Sequence, residues 1–365
     1  MTIRVLLVED SPVALTILKR LLSSADDIEV VGTARTGKQA LRMLASLNPQ
    51  VICTDLHMPE MDGWEFTCEV MATFPRPILV VSASVQPEDT YNVFRALEAG
   101  AVDIFPKPTS EGILEYEAVK QELIRKIRVL AGVSVFTRHR RQPPPSPSVS
   151  SGRDSPVAVP SAFPPAQPAP AATPQRSRKI SIVGIGASTG GPQALYAILS
   201  QLPAKFPVPI VCVQHISEGF LSGLIEWLRV KCKLPVQVAA SGEIPQPGTV
   251  YFPPEGMHLE LTKQGRFWYS SAAPISGHRP SVDVTFKAIA ASYGASAVGV
   301  LLTGMGSDGA QGIKAMADAG GTTVAQDEAS CVVFGMPKVA IALGGVQQVL
   351  ALNEIAPFLQ KKVLL

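Results

Sequence analysis

The chain has 365 residues, which at roughly 150 residues per domain points to two domains. Its 32 Lys+Arg against 30 Asp+Glu leave a net charge of +2, without the basic excess of a nucleic-acid binder. At 46% hydrophobic residues it is too apolar for wholesale disorder, and its five cysteines contain no C-x-x-C pair, so neither a disulfide framework nor a zinc site is expected.

The opening residues predict no secretory signal, because Glu9 and Asp10 follow only six mostly apolar residues, Ile3 to Val8. No uninterrupted apolar run reaches the roughly 18–20 residues of a membrane span. A cytoplasmic protein is expected.

In chain order, the first apolar run is Ile3 to Val8, followed by near-helical spacing from Pro12 to Leu22. A β-rich run at Ile28 to Ala34, a helix from Lys38 to Leu47 and a strand at Val51 to Thr54 come next. A strand at Pro77 to Ser82, a helix from Glu88 to Ala99, a strand at Val102 to Phe105 and a last helix up to Leu130 complete the set. Unbroken apolar strands between helices belong to a parallel sheet covered on both faces, so residues 1–132 are expected to form a doubly wound, flavodoxin-like α/β domain.

Between Gln142 and Pro174 lie 11 prolines in 33 residues, mixed with Ser and Ala and nearly free of large apolar side chains. Such a stretch cannot bury enough surface to offset its ordering entropy, so 133–178 is expected to be a linker. Its lead-in, Arg138-His139-Arg140-Arg141, reads as solvated charge ending a helix, with a docking patch as the other reading.

Residues 179–365 repeat the α/β style. Strands are predicted at Ile180 to Ile185, Val208 to Val213, Val236 to Ala239, Val298 to Leu302 and Thr322 to Ala325. Helices are predicted at Gln193 to Leu199, Gly219 to Val230, Val282 to Ala291, Gly309 to Ala319 and Pro337 to Leu343. The turn-rich stretch Gly248 to Tyr269 predicts a small antiparallel excursion in a mostly parallel, doubly wound sheet.

Parallel sheets place their sites at the carboxyl ends of the strands. In the first domain those ends carry Glu9, Asp10 and Asp55, with Ser82 closing a fourth strand and Lys107 just past the fifth. Clustered carboxylates repel and call for a hard divalent cation such as Mg²⁺. With a hydroxyl and an ammonium they are the parts for moving a phosphoryl group onto a carboxylate. Taken singly, such acids also serve as helix caps, Asp10 before Ser11-Pro12 in particular.

The segments V-E-D-S-P, T-D-L-H-M-P-E-M-D-G, V-V-S-A-S and D-I-F-P-K-P, over about residues 1 to 125, resemble the receiver domain of bacterial response regulators. The resemblance implies Asp55 as phospho-acceptor, with Glu9 and Asp10 as its acidic pocket. It further implies Mg²⁺ ligation by Asp10, Asp55 and the backbone carbonyl of His57, Ser82 as switch hydroxyl and Lys107 as partner of the phosphate. Many such domains carry Asp where this one has Glu9, a change that leaves the charge intact.

In the second domain, Gly186-Ala187-Ser188-Thr189-Gly190 reads as G-x-S-x-G, a strand–turn–helix that exposes a serine oxygen. A dinucleotide reading of Gly184-x-Gly186 fails: the third glycine is missing, and the next strand ends in Gln214-His215 rather than in the acid that holds a ribose. His215 ends that strand, and Asp308 lies on the glycine-rich loop Leu302 to Gly309 after a later one. Strand-end placement would bring Ser188, His215 and Asp308 together in an order unlike that of the α/β-hydrolases. Taken alone, His215 also reads as a satisfied polar residue and Asp308 as an N-cap.

The segments G-A-S-T-G-G, Q-H-I, P-S-V-D-V-T-F, L-T-G-M-G-S-D-G-A and A-Q-D-E-A-S-C-V-V-F-G-M-P, from about Lys179 onward, resemble the catalytic domain of CheB-type protein-glutamate methylesterases. The resemblance implies Ser188 as nucleophile, His215 as base, Asp308 as orienting acid and the backbone N–H of Met305 in the oxyanion hole. It implies hydrolysis of glutamate methyl esters on chemoreceptor cytoplasmic helices, receptor glutamine deamidation in many members, and no cofactor for the esterase. The implied partners are methyl-accepting chemoreceptors and a CheA-type histidine kinase. Ser307 stands where the commoner motif has Ala. His258 is expected to be structural, while His278 is left open between a structural and a cleft role. The alternative class is a non-enzymatic response regulator with a partner-binding C-terminal domain, which has no need to keep Ser188, His215 and Asp308 together.

Overall fold

The computed structural model describes residues 2–83, 87–108, 113–135 and 179–364, without the side chains of 87–91 and 113–115. The expected linker at 133–178, with Arg138 to Arg141, lies almost wholly outside the described residues.

The first domain runs β1 (Ile3–Val8), α1 (Pro12–Leu22), β2 (Ile28–Ala34), α2 (Gly37–Leu47), β3 (Val51–Thr54), α3 (Gly63–Thr73), β4 (Ile78–Ser82), α4 (Pro87–Ala99), β5 (Asp103–Pro106) and α5 (Ile113–Leu130). Its five strands form a parallel sheet in the order β2-β1-β3-β4-β5. Val5, Leu7, Val51, Cys53, Leu79 and Val81 pack on one face, and Leu6, Val8, Ile52, Ile78 and Val80 on the other, which explains the unbroken apolar runs.

Helix α3 was not anticipated. Its sequence is rich in aromatic and β-branched residues, which mask helical periodicity. Its local signal is the capping box, in which Asp62 accepts the Glu65 N–H at 2.7 Å while the Glu65 carboxylate accepts the Asp62 N–H.

The second domain runs β6 (Ile182–Ala187), α6 (Gly191–Leu199), β7 (Ile210–Gln214), α7 (Leu221–Lys231), β8 (Val236–Val238), β9 (Val250–Phe252), β10 (His258–Leu261), β11 (Phe267–Ser270), α8 (Val282–Tyr293), β12 (Ala297–Leu301), α9 (Ala310–Asp318), β13 (Thr322–Gln326), α10 (Met336–Ala342), β14 (Gln348–Leu350) and α11 (Leu352–Leu364). Seven strands pair in the order β14-β13-β12-β6-β7-β9-β8, all parallel. The antiparallel excursion is narrower than expected. Strand β9 falls inside the turn-rich stretch yet joins the parallel sheet, while β10 and β11 pair antiparallel as a separate hairpin. The short edge strand β14 and helix α11, which holds Pro357 within it, were not anticipated either.

The chain leaves β6 toward β7 on one side and returns to β12 on the other, so a switch point opens at the carboxyl ends of β6 and its neighbours. Glycines in β6 bring α8 close beneath that point. A Cβ on Gly186 would meet Val282 Cγ1 at 2.3 Å, and one on Gly184 would meet Ile289 and Phe286. Overpacking of this kind typically costs about 1–3 kcal/mol. Gly186→Ala is therefore expected to lower the unfolding free energy of the second domain by about 1–3 kcal/mol, read as a lower urea midpoint with an unchanged slope. An unchanged midpoint would show that α8 does not need its close seat on β6.

Candidate active and phosphorylation sites

The structure gathers the strand-end residues of the first domain at one rim. Glu9 follows β1 and Asp55 follows β3, both buried. Lys107, just past β5, donates to Asp55 Oδ2 at 2.7 Å and to Glu9 Oε1 at 3.0 Å. The other Asp55 oxygen accepts the Leu56 N–H at 2.6 Å. Ser82 is buried at the end of β4, and its carbonyl accepts the Lys107 N–H. The glycine closing the acidic loop is sterically required, since a Cβ on Gly63 would lie 2.2 Å from the Asp55 carbonyl oxygen.

Glu9, Asp10 and Asp55 offer oxygens within 4.8 Å of one another. Burial holds the Glu9 carboxyl above its usual range, and the Asp55 charge adds to the shift. Burial also raises Asp55, against the lowering effect of Lys107. Burial opposes the charge on Lys107, but Asp55 and then Glu9 outweigh it and hold the ammonium above its usual range. Glu9 Oε2 is buried with no partner among the described residues. One ammonium thus leaves part of the negative charge and one oxygen uncompensated, a donor set that fits a small hard cation.

The second site lies at the switch point. His215 directly follows β7, and its N–H donates to the Ala187 carbonyl at the end of β6, one residue before Ser188. Ser188 begins the turn into α6, with its N–H on the Thr303 carbonyl beyond β12. The turn needs Gly190, at φ +76°, and Gly304 is pressed so closely on the serine that a Cβ there would sit 2.6 Å from Ser188 Cβ.

Asp308 reaches the same rim from the loop before α9. Its Oδ2 is 2.8 Å from His215 Nε2. Three further donors hold it: the Ser281 hydroxyl at 2.7 Å, the Val282 N–H at 2.8 Å and the Asp283 N–H at 3.1 Å. The last two are free amides of the first turn of α8, whose dipole favours a negative charge. Asp308 is therefore no cap of its own helix; it docks on the start of another. Burial by itself would raise its carboxyl, but the His215 hydrogen bond and charge, with Ser281 and Val282, push it down to about 2.

Asp308 and His215 thus meet directly, and Ser188 stands at the neighbouring strand end. No hydrogen bond joins Ser188 Oγ to His215 among the described residues, whereas His215 Nδ1 is buried and without a partner. His278, left open by the sequence, stacks flat on His215, with ring centroids 3.7 Å apart at 5°. Burial and then the His215 ring push the His278 pKa down to about 3, which keeps a neutral plate against the imidazole. His258 is buried one layer down, where its Nδ1 accepts the Ser281 N–H at 3.1 Å. The Met305 amide donates to no described acceptor.

Sequence reading missed Ser281, whose signal was a serine directly ahead of the α8 pattern. It also did not name the residues that join the two domains. Thr189 Oγ1, beside the serine, donates to Asp103 Oδ2 of the first domain at 2.9 Å, and Asp103 also pairs with Lys126 at 2.5 Å. Gln193 Nε2 donates to the Ala101 carbonyl, Lys231 pairs with Glu98, and Phe94 stacks on Trp227 at 5.7 Å. A cleft of about 360 Å³ at His215, His278 and Arg279 is walled on its far side by Phe105, Pro106, Val119 and Glu122.

A family model for the CheB methylesterase matches residues 183–359, and one for the response regulator receiver domain matches residues 5–118. A protein-glutamate methylesterase/protein-glutamine glutaminase of Nitrosospira multiformis is 40% identical over 361 residues, covering 99% of this chain and 97% of the relative. One from Anaeromyxobacter dehalogenans is 42% identical, covering 97% of this chain and 95% of the relative. The solved CheB methylesterase catalytic domain of Thermotoga maritima is 41% identical, covers 50% of this chain and 99% of that one, and superposes with a TM-score of 0.49.

The Asp308 environment has a consequence for acid stability. A carboxyl pushed below its unfolded value stabilises the fold fully above about pH 4, and this contribution fades as pH falls toward about 2. The stability gap between the unaltered protein and Asp308→Asn is therefore expected to narrow steadily between pH 5 and pH 2.5 in urea titrations. A gap independent of pH would contradict the buried, ionised carboxylate.

Proposed function

Because this chain belongs to the CheB methylesterase family, with a response regulator receiver domain ahead of the esterase domain, we propose that it hydrolyses glutamate methyl esters on chemoreceptor cytoplasmic helices under phosphorylation control. The observation that carries the reading is the His215–Asp308 pair at 2.8 Å, at the strand end beside Ser188. Domain limits of 1–132, 133–178 and 179–365 and a cytoplasmic site of action belong to the proposal. No helix among the described residues is long and apolar enough to cross a membrane.

With Asp308 accepting from Nε2–H, Nδ1 is the nitrogen left to act as base. It takes the Ser188 proton as the oxygen attacks the ester carbonyl, and Asp308 balances the imidazolium. The unpaired Met305 amide is suited to receive the oxyanion. The proton passes to the departing methoxide and methanol leaves. Water then attacks the acyl-serine, with His215 as base again, and glutamate and free Ser188 result. A glutamine side chain entering the same route releases ammonia, as the names of the relatives suggest. A C-terminal domain that only bound a partner would have no use for an imidazole held by a buried carboxylate.

In the receiver, Asp10, Asp55 and the His57 carbonyl are proposed to hold Mg²⁺, which when bound neutralises charge on an incoming phosphoryl group. An Asp55 oxygen bonds to phosphorus as the bond to the donor histidine of a CheA-type kinase breaks. Lys107 and the Ser82 hydroxyl are proposed to receive the phosphoryl oxygens.

The first domain walls the cleft, so the unphosphorylated receiver is proposed to obstruct it. Strand β5 joins the two events: Lys107 follows its end, and Asp103 at its start holds Thr189. A charged hydrogen bond is worth about 1.5–3 kcal/mol, which shifts a two-state balance by roughly tenfold or more. Asp103→Ala is therefore expected to raise the unphosphorylated methanol-release rate by about that factor and to shrink the response to acetyl phosphate. An unchanged basal rate would free the catalytic domain from this latch.

Ser188→Ala is expected to abolish methanol release while Asp55 still accepts phosphate, and Asp55→Asn to keep basal release without the response. Radiolabelled methyl groups on receptor membranes read both out. Substantial release by Ser188→Ala would remove the serine from the mechanism.

A further inference from the structure

Resting on the hydrolase reading of this site, we infer that Gln214 is a positioning residue whose side-chain amide sets the spacing of Ser188 and His215. Gln214 is the last residue of β7 and is buried, 3% exposed. Its Nε2 donates to the Ser188 carbonyl at 2.9 Å and to the His215 carbonyl at 2.7 Å. One amide nitrogen thus ties together the main chains of nucleophile and base, which come from two different strands.

The surroundings fix which way the amide points. Two carbonyl oxygens face the nitrogen, so reversing the amide would set oxygen against both. The opposite end occupies the space a side chain at position 191 would need, since a Cβ on Gly191 would lie 2.0 Å from Gln214 Oε1. The Gly191 N–H itself turns back to the Ser188 carbonyl at 2.7 Å. Gln214 Oε1 is buried without a partner among the described residues. The strand backbones pair whatever the side chain: Ala187 and Gln214 are register partners, and the His215 N–H already reaches Ala187. What the side chain adds is control of the two residues beyond the strand ends, where the sheet no longer dictates their separation.

A misplacement of about 1 Å between reacting groups can cost about 100-fold in rate. Gln214→Glu and Gln214→Met in the full chain are therefore expected to lose about that factor in kcat on methylated receptor membranes, with KM within about threefold. Asp55 phosphorylation is expected to be unaffected. Gln214→Glu carries a further signature. Protonated, its carboxyl regains one donor, so its activity relative to the unaltered chain should rise as pH falls, whereas Gln214→Met should show no such rise. A purely structural role would not produce that difference. In the unaltered full chain, the Gln214 side-chain amide protons are expected to exchange with solvent far more slowly than those of exposed glutamines such as Gln201. Ser188→Ala runs alongside: release surviving in it overturns the hydrolase reading itself. With Ser188→Ala inactive, a kcat within about threefold of the parent in either folded Gln214 variant overturns only the present inference. Should both variants fail to fold, freely exchanging Gln214 amide protons would overturn it.

Discussion

The catalytic domain is organised around one buried negative charge. Asp308 is 1% exposed, and an isolated carboxylate in that position would be driven to protonate. Ser281, two backbone amides of α8 and the His215 ring keep it ionised. The arrangement demands that α8 begin directly under the switch point. That demand reaches back to β6, where Gly184 and Gly186 leave room for the helix, and to His258, which holds the capping serine from below. The imidazole is then fixed on two sides, by Asp308 at its edge and by the His278 ring on its face.

The two domains use carboxylates in opposite electrostatic states. At the receiver rim the acids are undercompensated, and their pKa values are held high by burial despite Lys107. Such a donor set gains from a cation. At the esterase rim the acid is abundantly compensated and its pKa is held low, which in the proposed mechanism lets it balance a transient imidazolium without taking a proton. Strand β5 spans the distance between them, reaching Asp55 through Lys107 and the serine loop through Asp103. In the proposed regulation, this strand is the route by which a change in charge at one rim reaches the other.

Much of this was legible in the sequence. Buried parallel strands announce themselves as apolar runs, and strand-end placement alone put Asp55 with Glu9 and Lys107, and His215 with Asp308. Helix α3 escaped because Trp64, Phe66 and Val70 disguise its period. Strand β9 was not separated from the antiparallel stretch around it because three residues carry too little pattern to show pairing sense. Asp308 read alone as a cap for its own helix, since nothing in its neighbourhood tells that the amides it meets belong to α8. Gln214 was weighed only as a missing ribose acid, because a side chain that turns back onto main-chain carbonyls leaves no periodic trace. The contact of Thr189 with Asp103 joins positions 86 residues apart, and no local rule could connect them.

The central claim is that a carboxylate-held imidazole makes Ser188 a nucleophile. Its most direct test is the rate of covalent labelling by a small fluorophosphonate, followed by peptide mapping, in the full chain and in Asp308→Asn. The expected result is a single adduct on Ser188 in the unaltered protein, formed at least about 100-fold more slowly in the variant. An adduct on another residue, or equal rates in the two proteins, would contradict the account.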